Sequence, residues 1–547
     1  MDNPQYTHVH ELTIPAYHAA LLNGTTTCEQ TVSAYLAQID RYNPTLRAIV
    51  TVNENALDDA RQKDIERLQF LHDNNTSSNN PTPEEADSND SIPRKKKLHP
   101  LHGVPLLLKD TYTTTHLPTT SGVLALSTLH THTNAPIVQT LLASGAILLA
   151  KTNLHEFSLE GTTTSSLGGQ TLNPYDLTRT PGGSSGGTAA ALAANMGLVG
   201  CGGDTMNSLR SPASACAVVG FRPTMGRVCT SGVMGVSRTQ DALGPMGRGV
   251  GDVRVLWGVM KGSTASSATA AAAVATASTN TDAATDTPNP NSTDKENIPL
   301  RIGILTTYFP SSDSSNPESL TINNIMQTAL QKIQSSPTLT RPIHFIPLSP
   351  QPTWEVSLLR TEADTQSFEF KEEMDSFLQS PFIKHTPHRS LASIAASDEY
   401  HKTAVTAVFH ETLQTEKFNT QCEAYKARLQ RIKTLKESVQ TCFVNERLDA
   451  MVYPHQKNLV LPVGEVVQSG RNGILAALTG RPAVCIPAGF AQPAEQTPGP
   501  GIPVGLELMG TPWQDDELLD IAEVFEGIIQ GRKPPLLTSD LSRSGDL

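Results

Sequence analysis

Nowhere in this chain do two cysteines stand in a C-x-x-C pair. The seven, at Cys28, Cys201, Cys216, Cys229, Cys422, Cys442 and Cys485, are scattered and odd in number. That pattern argues against a zinc site or a disulfide framework and fits a reducing compartment. A surplus of positive charge is missing too: 41 Lys and Arg stand against 53 Asp and Glu, for a net charge of −12. A nucleic-acid partner needs a concentrated basic face, so none is expected. The one basic run, Arg94 to Lys97, follows a polar, acidic stretch and reads as a solvated loop. Long apolar runs are absent as well. The longest, around Thr188 to Cys201, is too short and too rich in small residues to span a membrane. The opening "MDNPQYTHVHEL" shows no basic region followed by an apolar core, so no secretory signal is expected. These absences together predict a soluble, cytoplasmic protein. No internal repeat is visible. No metal, nucleotide or flavin motif occurs, so no metal and no cofactor is expected.

What is present is length. A chain of 547 residues can bury a large core. Two stretches, 73–97 and 262–297, lack the large apolar residues that offset ordering entropy, and both read as disordered insertions. The rest alternates strand and helix. "CEQTVSAYLAQIDRYNP" has apolar residues at helical spacing and predicts a helix that stops at Asn43-Pro44. "VPLLLKD" (Val104 to Asp110) and "GAILLAKTN" (Gly145 to Asn153) read as buried strands. Beyond the second insertion, "RIGILT", "IHFIPL", "AMVYP", "VCIPAGF" and "PVGLELMG" read as further strands, with "CEAYKARLQRIKTLKESVQTCF" among the periodic stretches between them. The pattern predicts a layered α/β fold, one large domain over 1–547.

The stretch "PGGSSGGTAAALAANMGLVGCGGDTMNSLRSPA", Pro181 to Ala213, is the chemically suggestive part. A flexible linker would not run on into an apolar helix-like segment and then "DTMNSLRSP". The segment lacks the Lys-Ser/Thr of a phosphate loop. Its serines invite a nucleophilic reading, which requires a base and donors for a developing oxyanion. Sixteen histidines are available, but His102, His155 and His455 stand in no motif around these serines and read as structural. Serine can instead use a lysine on a buried element. Lys109, ending "GVPLLLKD", qualifies, since burial disfavours its charged form. An unperturbed lysine of pKa ~10.4 would be neutral only ~0.1% of the time near pH 7.4. Lys151 in "AKTN" is a second, weaker candidate.

"GVPLLLKD", "PGGSSGG" and "DTMNSLRSP", in that order and spacing, resemble the amidase signature family. "AYLAQIDRYNP", "AKTNLHEF", "GRPAVCIPAGF" and "GIPVGLELMGTPWQDDELLDIAEVFE" extend the resemblance over most of the chain. The resemblance implies the amidase signature fold, an α/β domain with a mixed central β-sheet covered by helices on both faces, and a Ser–cisSer–Lys set: Lys109 as base, Ser184 as the bridging serine after a cis peptide bond, and Ser208 as nucleophile. It further implies an oxyanion hole built from the backbone N–H groups of Thr205, Met206, Asn207 and Ser208. Ser185 is expected to be a hydrogen-bonding neighbour, and Asp204 and Arg210 a supporting polar network. "GGQTLNPYD" is expected to support the cleft.

The implied activity is hydrolysis of a small-molecule carboxylic amide through an acyl-enzyme, with no nucleic acid and no membrane as partner; a homodimer is the assembly the resemblance admits. Two other readings stand beside it. One is a protein like the A-subunit of the glutamyl-tRNA(Gln) amidotransferase, which helps convert misacylated Glu-tRNA(Gln) and needs partner subunits. The other is a non-catalytic scaffold on the same fold. The chain departs from the family at Met206-Asn207, where small residues, commonly Gly-Gly, are usual. Two explanations compete: the loop keeps negative φ there, so that Met costs nothing and its side chain shapes the pocket, or the oxyanion hole is distorted and the chain is a weak or inactive amidase.

Overall fold

Runs of aliphatic residues with no exposed face set the strands. Pro105–Lys109 is buried at all five positions, and so is Ile147–Thr152 at all six, as strands covered on both sides require. The chain is seen in a computed structural model that describes residues 9–77, 98–263, 298–311, 316–405, 407–491 and 499–536. Eleven strands form one sheet. They are β1 (Ile49–Val52), β2 (Pro105–Lys109), β3 (Ile147–Thr152), β4 (Val199–Asp204), β5 (Val219–Arg222) and β6 (Ala242–Gly247). After these come β7 (Leu300–Ile304), β8 (Ile343–Pro347), β9 (Ala450–Pro454), β10 (Ala483–Ala491) and β11 (Ile502–Met509). Across the sheet the order is β1-β3-β2-β4-β6-β5-β10-β11-β9-β7-β8.

The sheet is mixed. The β3-β2-β4 trio is parallel, with Leu108 opposite both Lys151 and Cys201. The centre, from β4 through β6, β5, β10 and β11 to β9, is antiparallel. A second parallel trio, β9-β7-β8, ends the sheet. The fold is thus a single α/β domain with a large mixed sheet flanked by helices. Strands from before and after the stretch 264–297 join the same sheet. No helix among the described residues is long and apolar enough to cross a membrane.

Four expectations need correction or placement. The helix that begins at Cys28 does not stop at Asn43-Pro44 but runs to Leu46. Pro44 falls in its last turn, Arg47 N–H still reaches Asn43 O at 2.8 Å, and the Asn43 side chain bonds both backbone groups of Ile49 at the exit. The apolar run Thr188 to Cys201 is not one element: the helix Gly186–Ala193 ends, and β4 starts at Val199. The insertion expected at 73–97 begins inside the helix Ala56–Ser77, and residues 78–97 lie outside the described residues. The second insertion likewise lies outside them except for residues 262 and 263.

What this topology does for function is to bring two strand ends together. β2 and β4 are parallel neighbours, so Lys109 and the loop after Asp204 emerge at the same, carboxyl-terminal edge. In parallel α/β arrangements that edge is where binding sites form.

Candidate active site

Lys109 is the last residue of β2 and is 1% exposed. Its Nζ lies 2.7 Å from Ser184 Oγ. Burial pushes the Lys109 ammonium down to about 7, against the pull of the Asp241 and Asp204 carboxylates in the other direction. At pH 7 roughly half of such lysines are neutral and able to accept a proton.

Ser184 follows a cis peptide bond from Gly183. Its position is fixed from several sides. The Ser184 carbonyl accepts from His155 N–H at 3.0 Å, and Thr163 Oγ1 donates to Gly182 O at 2.7 Å. Gly183 has to be glycine for space, since a Cβ there would lie 2.8 Å from Thr163 Oγ1. Ser185 joins this loop to the next one: its N–H donates to Ser208 O at 3.2 Å and its hydroxyl to Gly203 O at 3.2 Å. Lys109, Ser184 and Ser208 are thereby drawn into one neighbourhood from three separate segments.

The loop from Asp204 to Ser208 is held by a buried ionic network. Asp204 accepts from Leu209 N–H at 3.0 Å, from Arg210 Nε at 3.1 Å and from Arg222 at 2.9 Å. Burial alone would raise the Asp204 carboxyl, but Arg210 and Arg222 overcome it and hold it well below the usual carboxylate range. Arg210 also pairs with Glu507 and donates to Met206 O at 2.7 Å. Among the described residues, the backbone N–H groups of Thr205, Met206, Asn207 and Ser208 donate to no protein acceptor. Neither Met206 nor Asn207 has a positive φ, so the residues that replace the family's usual glycines carry no left-handed strain. The Met206 side chain packs against the cluster that includes Tyr308, Leu359 and Ile474.

Two adjoining cavities open at this point. One is lined by Lys109, Thr205 and Asp241, and the other by Glu160, Thr205, Met206, Ser208, Gln366 and Arg471; Ser158 borders both. Asp241 accepts from the N–H groups of Val236 and Ser237 at 2.7 and 3.1 Å, and burial raises its pKa. Sequence reasoning missed Ser158, Glu160, Asp241, Gln366 and Arg471. None of them stands in a motif of its own, and only folding brings Ser158, Glu160, Gln366 and Arg471 to the cavity of Ser208 and Asp241 to that of Lys109.

The remaining candidates fall elsewhere. Lys151 is fully buried on β3 but is paired with Asp110 at 2.8 Å and bonded to Thr119 Oγ1 at 3.1 Å. His155 is bonded to Ala404 O and Thr162 Oγ1 at 2.9 and 3.1 Å, and burial lowers it to about 4. His455 meets Glu507 at 2.6 Å, and His102 meets Lys63 O at 3.0 Å. The "GGQTLNPYD" segment bonds inward through Asn173, whose amide donates to Thr180 O and Ala215 O at 3.1 and 2.9 Å. No group of three His, Cys, Asp or Glu side chains among the described residues could hold a metal ion.

Comparison with known proteins gives a consistent picture. The amidase family model matches residues 66–519. The chain is 29% identical over 540 residues to the A-subunit of the glutamyl-tRNA(Gln) amidotransferase of Chloroflexus aurantiacus, covering 96% of this chain and 98% of that one. It is also 29% identical to the chloroplastic/mitochondrial glutamyl-tRNA(Gln) amidotransferase A-subunit of Zea mays, covering 95% and 89%. Among solved structures, the native peptide amidase from Stenotrophomonas maltophilia matches with a TM-score of 0.75 at 26% identity, covering 96% and 98%. An amidase family protein from Bacillus anthracis shares the fold, with a TM-score of 0.73 at 24% identity, covering 97% and 93%. With its matched span, its fold and the neighbourhood around Ser184, the chain belongs to the amidase family.

Proposed function

We propose that this chain hydrolyses a carboxylic amide of a small molecule, with Ser208 as nucleophile, Ser184 as proton relay and Lys109 as base. The observation that carries the reading is the 2.7 Å contact between Ser184 Oγ and a buried lysine brought down to about 7. Ser208 Oγ attacks the carbonyl carbon while its proton passes to Ser184 and the Ser184 proton passes to Lys109 Nζ. A hydroxyl can both donate and accept, which suits it to the middle position. The N–H groups of Thr205, Met206, Asn207 and Ser208 have no protein acceptor among the described residues and serve the tetrahedral oxyanion. Collapse breaks the C–N bond, and the leaving amine or ammonia takes the proton back along the same path. Water then attacks the acyl-enzyme, and the acid leaves. Ser185, Asp204 and Arg210 support the two loops rather than touching substrate.

A second reading is favoured by the named relatives: the A-subunit of a glutamyl-tRNA(Gln) amidotransferase, working together with partners. The two readings separate on the isolated chain. Ammonia release from a panel of primary amides, abolished by Ser208→Ala, supports the free amidase. Activity that appears only with added partner subunits supports the second reading.

A further inference from the structure

Glu160 and Arg471 have no part in the chemistry proposed above, yet both are more than nine-tenths buried and both line the cavity that holds Ser208. The Arg471 guanidinium makes three connections. Its Nε donates to Gln468 O at 3.1 Å, one terminal nitrogen pairs with Glu160, and the other reaches Asn207 Oδ1 at 3.3 Å. Glu160 is itself tied down, accepting from Gly161 N–H at 2.9 Å. The fit leaves no slack: a Cβ at Gly161 would lie 2.0 Å from the guanidinium, and a Cβ at Gly473 would lie 2.7 Å from Asn207 Cβ. Arg210 separately holds the Met206 carbonyl at 2.7 Å.

We propose that Glu160 and Arg471 are positioning residues that act through the Asn207 side chain to hold the oxyanion loop. The inference rests on the reading of Ser208 as nucleophile. A glycine at 207 would leave Arg471 no side chain to hold, and Asn207 supplies one. Donors to a developing oxyanion work when they are held in place beforehand, and a displacement of about 1 Å can cost ~100-fold in rate. A buried ion pair is weak support for stability in itself, because desolvation offsets its attraction. Fixing the loop gives this pair a use.

The test is a double-mutant cycle between Arg471→Met and Asn207→Gly, read as kcat and KM on a hydrolysed amide and as the rate of Ser208 labelling by a fluorophosphonate. Each single change is expected to lower kcat and the labelling rate by about 10–100-fold with KM within about 2-fold. The double variant is expected to be no slower than the slower single variant, since both remove the same link. Arg471→Lys, which keeps the charge but loses the fork, is expected not to rescue. Because Arg471→Met leaves Glu160 unpaired, Glu160→Gln serves as a milder second variant and is expected to lower kcat without raising KM. Additive losses, or a raised KM at unchanged kcat, would overturn the inference while leaving Ser208 as nucleophile. Absence of Ser208 labelling in the wild type would overturn the nucleophile reading and this inference with it.

Discussion

Two lysines stand on adjacent parallel strands, Lys109 closing β2 and Lys151 within β3, and both are essentially shielded from water. Burial lowers the pKa of each. Their partners differ. Lys151 faces the Asp110 carboxylate at 2.8 Å, which favours its charged form, whereas Lys109 meets the uncharged hydroxyl of Ser184 at 2.7 Å. Burial alone therefore does not make a base. A buried lysine becomes one when no carboxylate neutralises it at contact distance and a proton donor sits in its place. In this molecule the carboxylates that do influence Lys109, those of Asp241 and Asp204, act without an ion-pair contact and are engaged by other donors.

The contrast can be broken at either lysine. The largest effect is expected from Lys109→Met, which should lower kcat by about 1,000-fold or more, the upper part of the range for losing a general base. The same change should raise thermal stability. The folded-state pKa of Lys109 is depressed, so from about 7 up to the ordinary lysine range the unfolded chain holds more protons, and wild-type stability rises with pH there. The gain from Lys109→Met should therefore be widest at and below pH 7 and vanish toward pH ~10.5. Calorimetry across that range checks the sign.

Lys151→Met should do the reverse. It leaves Asp110 as an uncompensated buried charge and should cost roughly 3–5 kcal/mol of stability by denaturant titration. The pH profile of the activity that remains should keep the wild-type midpoint. A shifted midpoint would mean that the two lysines are not separate in function.

The wild-type profile itself sharpens the comparison. As pH rises, the kcat/KM limb should climb through about pH 7 as Lys109 loses its proton. A flat limb between pH 6 and pH 8, windows set by the ordinary spread of a single titration (~1 unit either side), would remove Lys109 from the proton path.

The smallest effect is expected at Met206. Because its φ is already negative, Met206→Gly relieves no strain, and what it removes is a side chain at the cavity wall. Relative kcat/KM among amides of different acyl size should change by a few-fold, about 1 kcal/mol, in a competitive substrate panel. An unchanged panel would take Met206 out of substrate choice.

The elements that carry these contrasts were unequally legible in the sequence. β2, β3, β9 and β11 stood out as short apolar runs because both faces are buried, while β7 and β8 stood out by their aliphatic and aromatic residues although they are only partly covered. β6, "ALGPMG", did not, since glycine and proline disguise a strand whose six residues are all buried. The split of the small-residue run into the helix Gly186–Ala193 and β4 was hidden for the same reason: Ala and Gly fit either element. Lys109, Ser184 and Ser208 could be named because their neighbours form continuous motifs. Ser158, Glu160, Asp241, Gln366 and Arg471 could not, because nothing local marks them. Nor does the sequence distinguish Lys109 from Lys151 by burial, as both end or interrupt apolar runs. The distinction is made by Asp110 and Ser184, which only the folded chain places.

The most direct measurement is to label the purified protein with a fluorophosphonate and locate the adduct by peptide mass spectrometry, for the wild type, Lys109→Met and Lys151→Met. A lysine kept partly neutral by burial and set against Ser184 predicts an adduct on Ser208 that forms faster as pH rises through about 7. That adduct should be lost in Lys109→Met and retained in folded Lys151→Met. An adduct on another residue, or one on Ser208 that survives Lys109→Met, would contradict it.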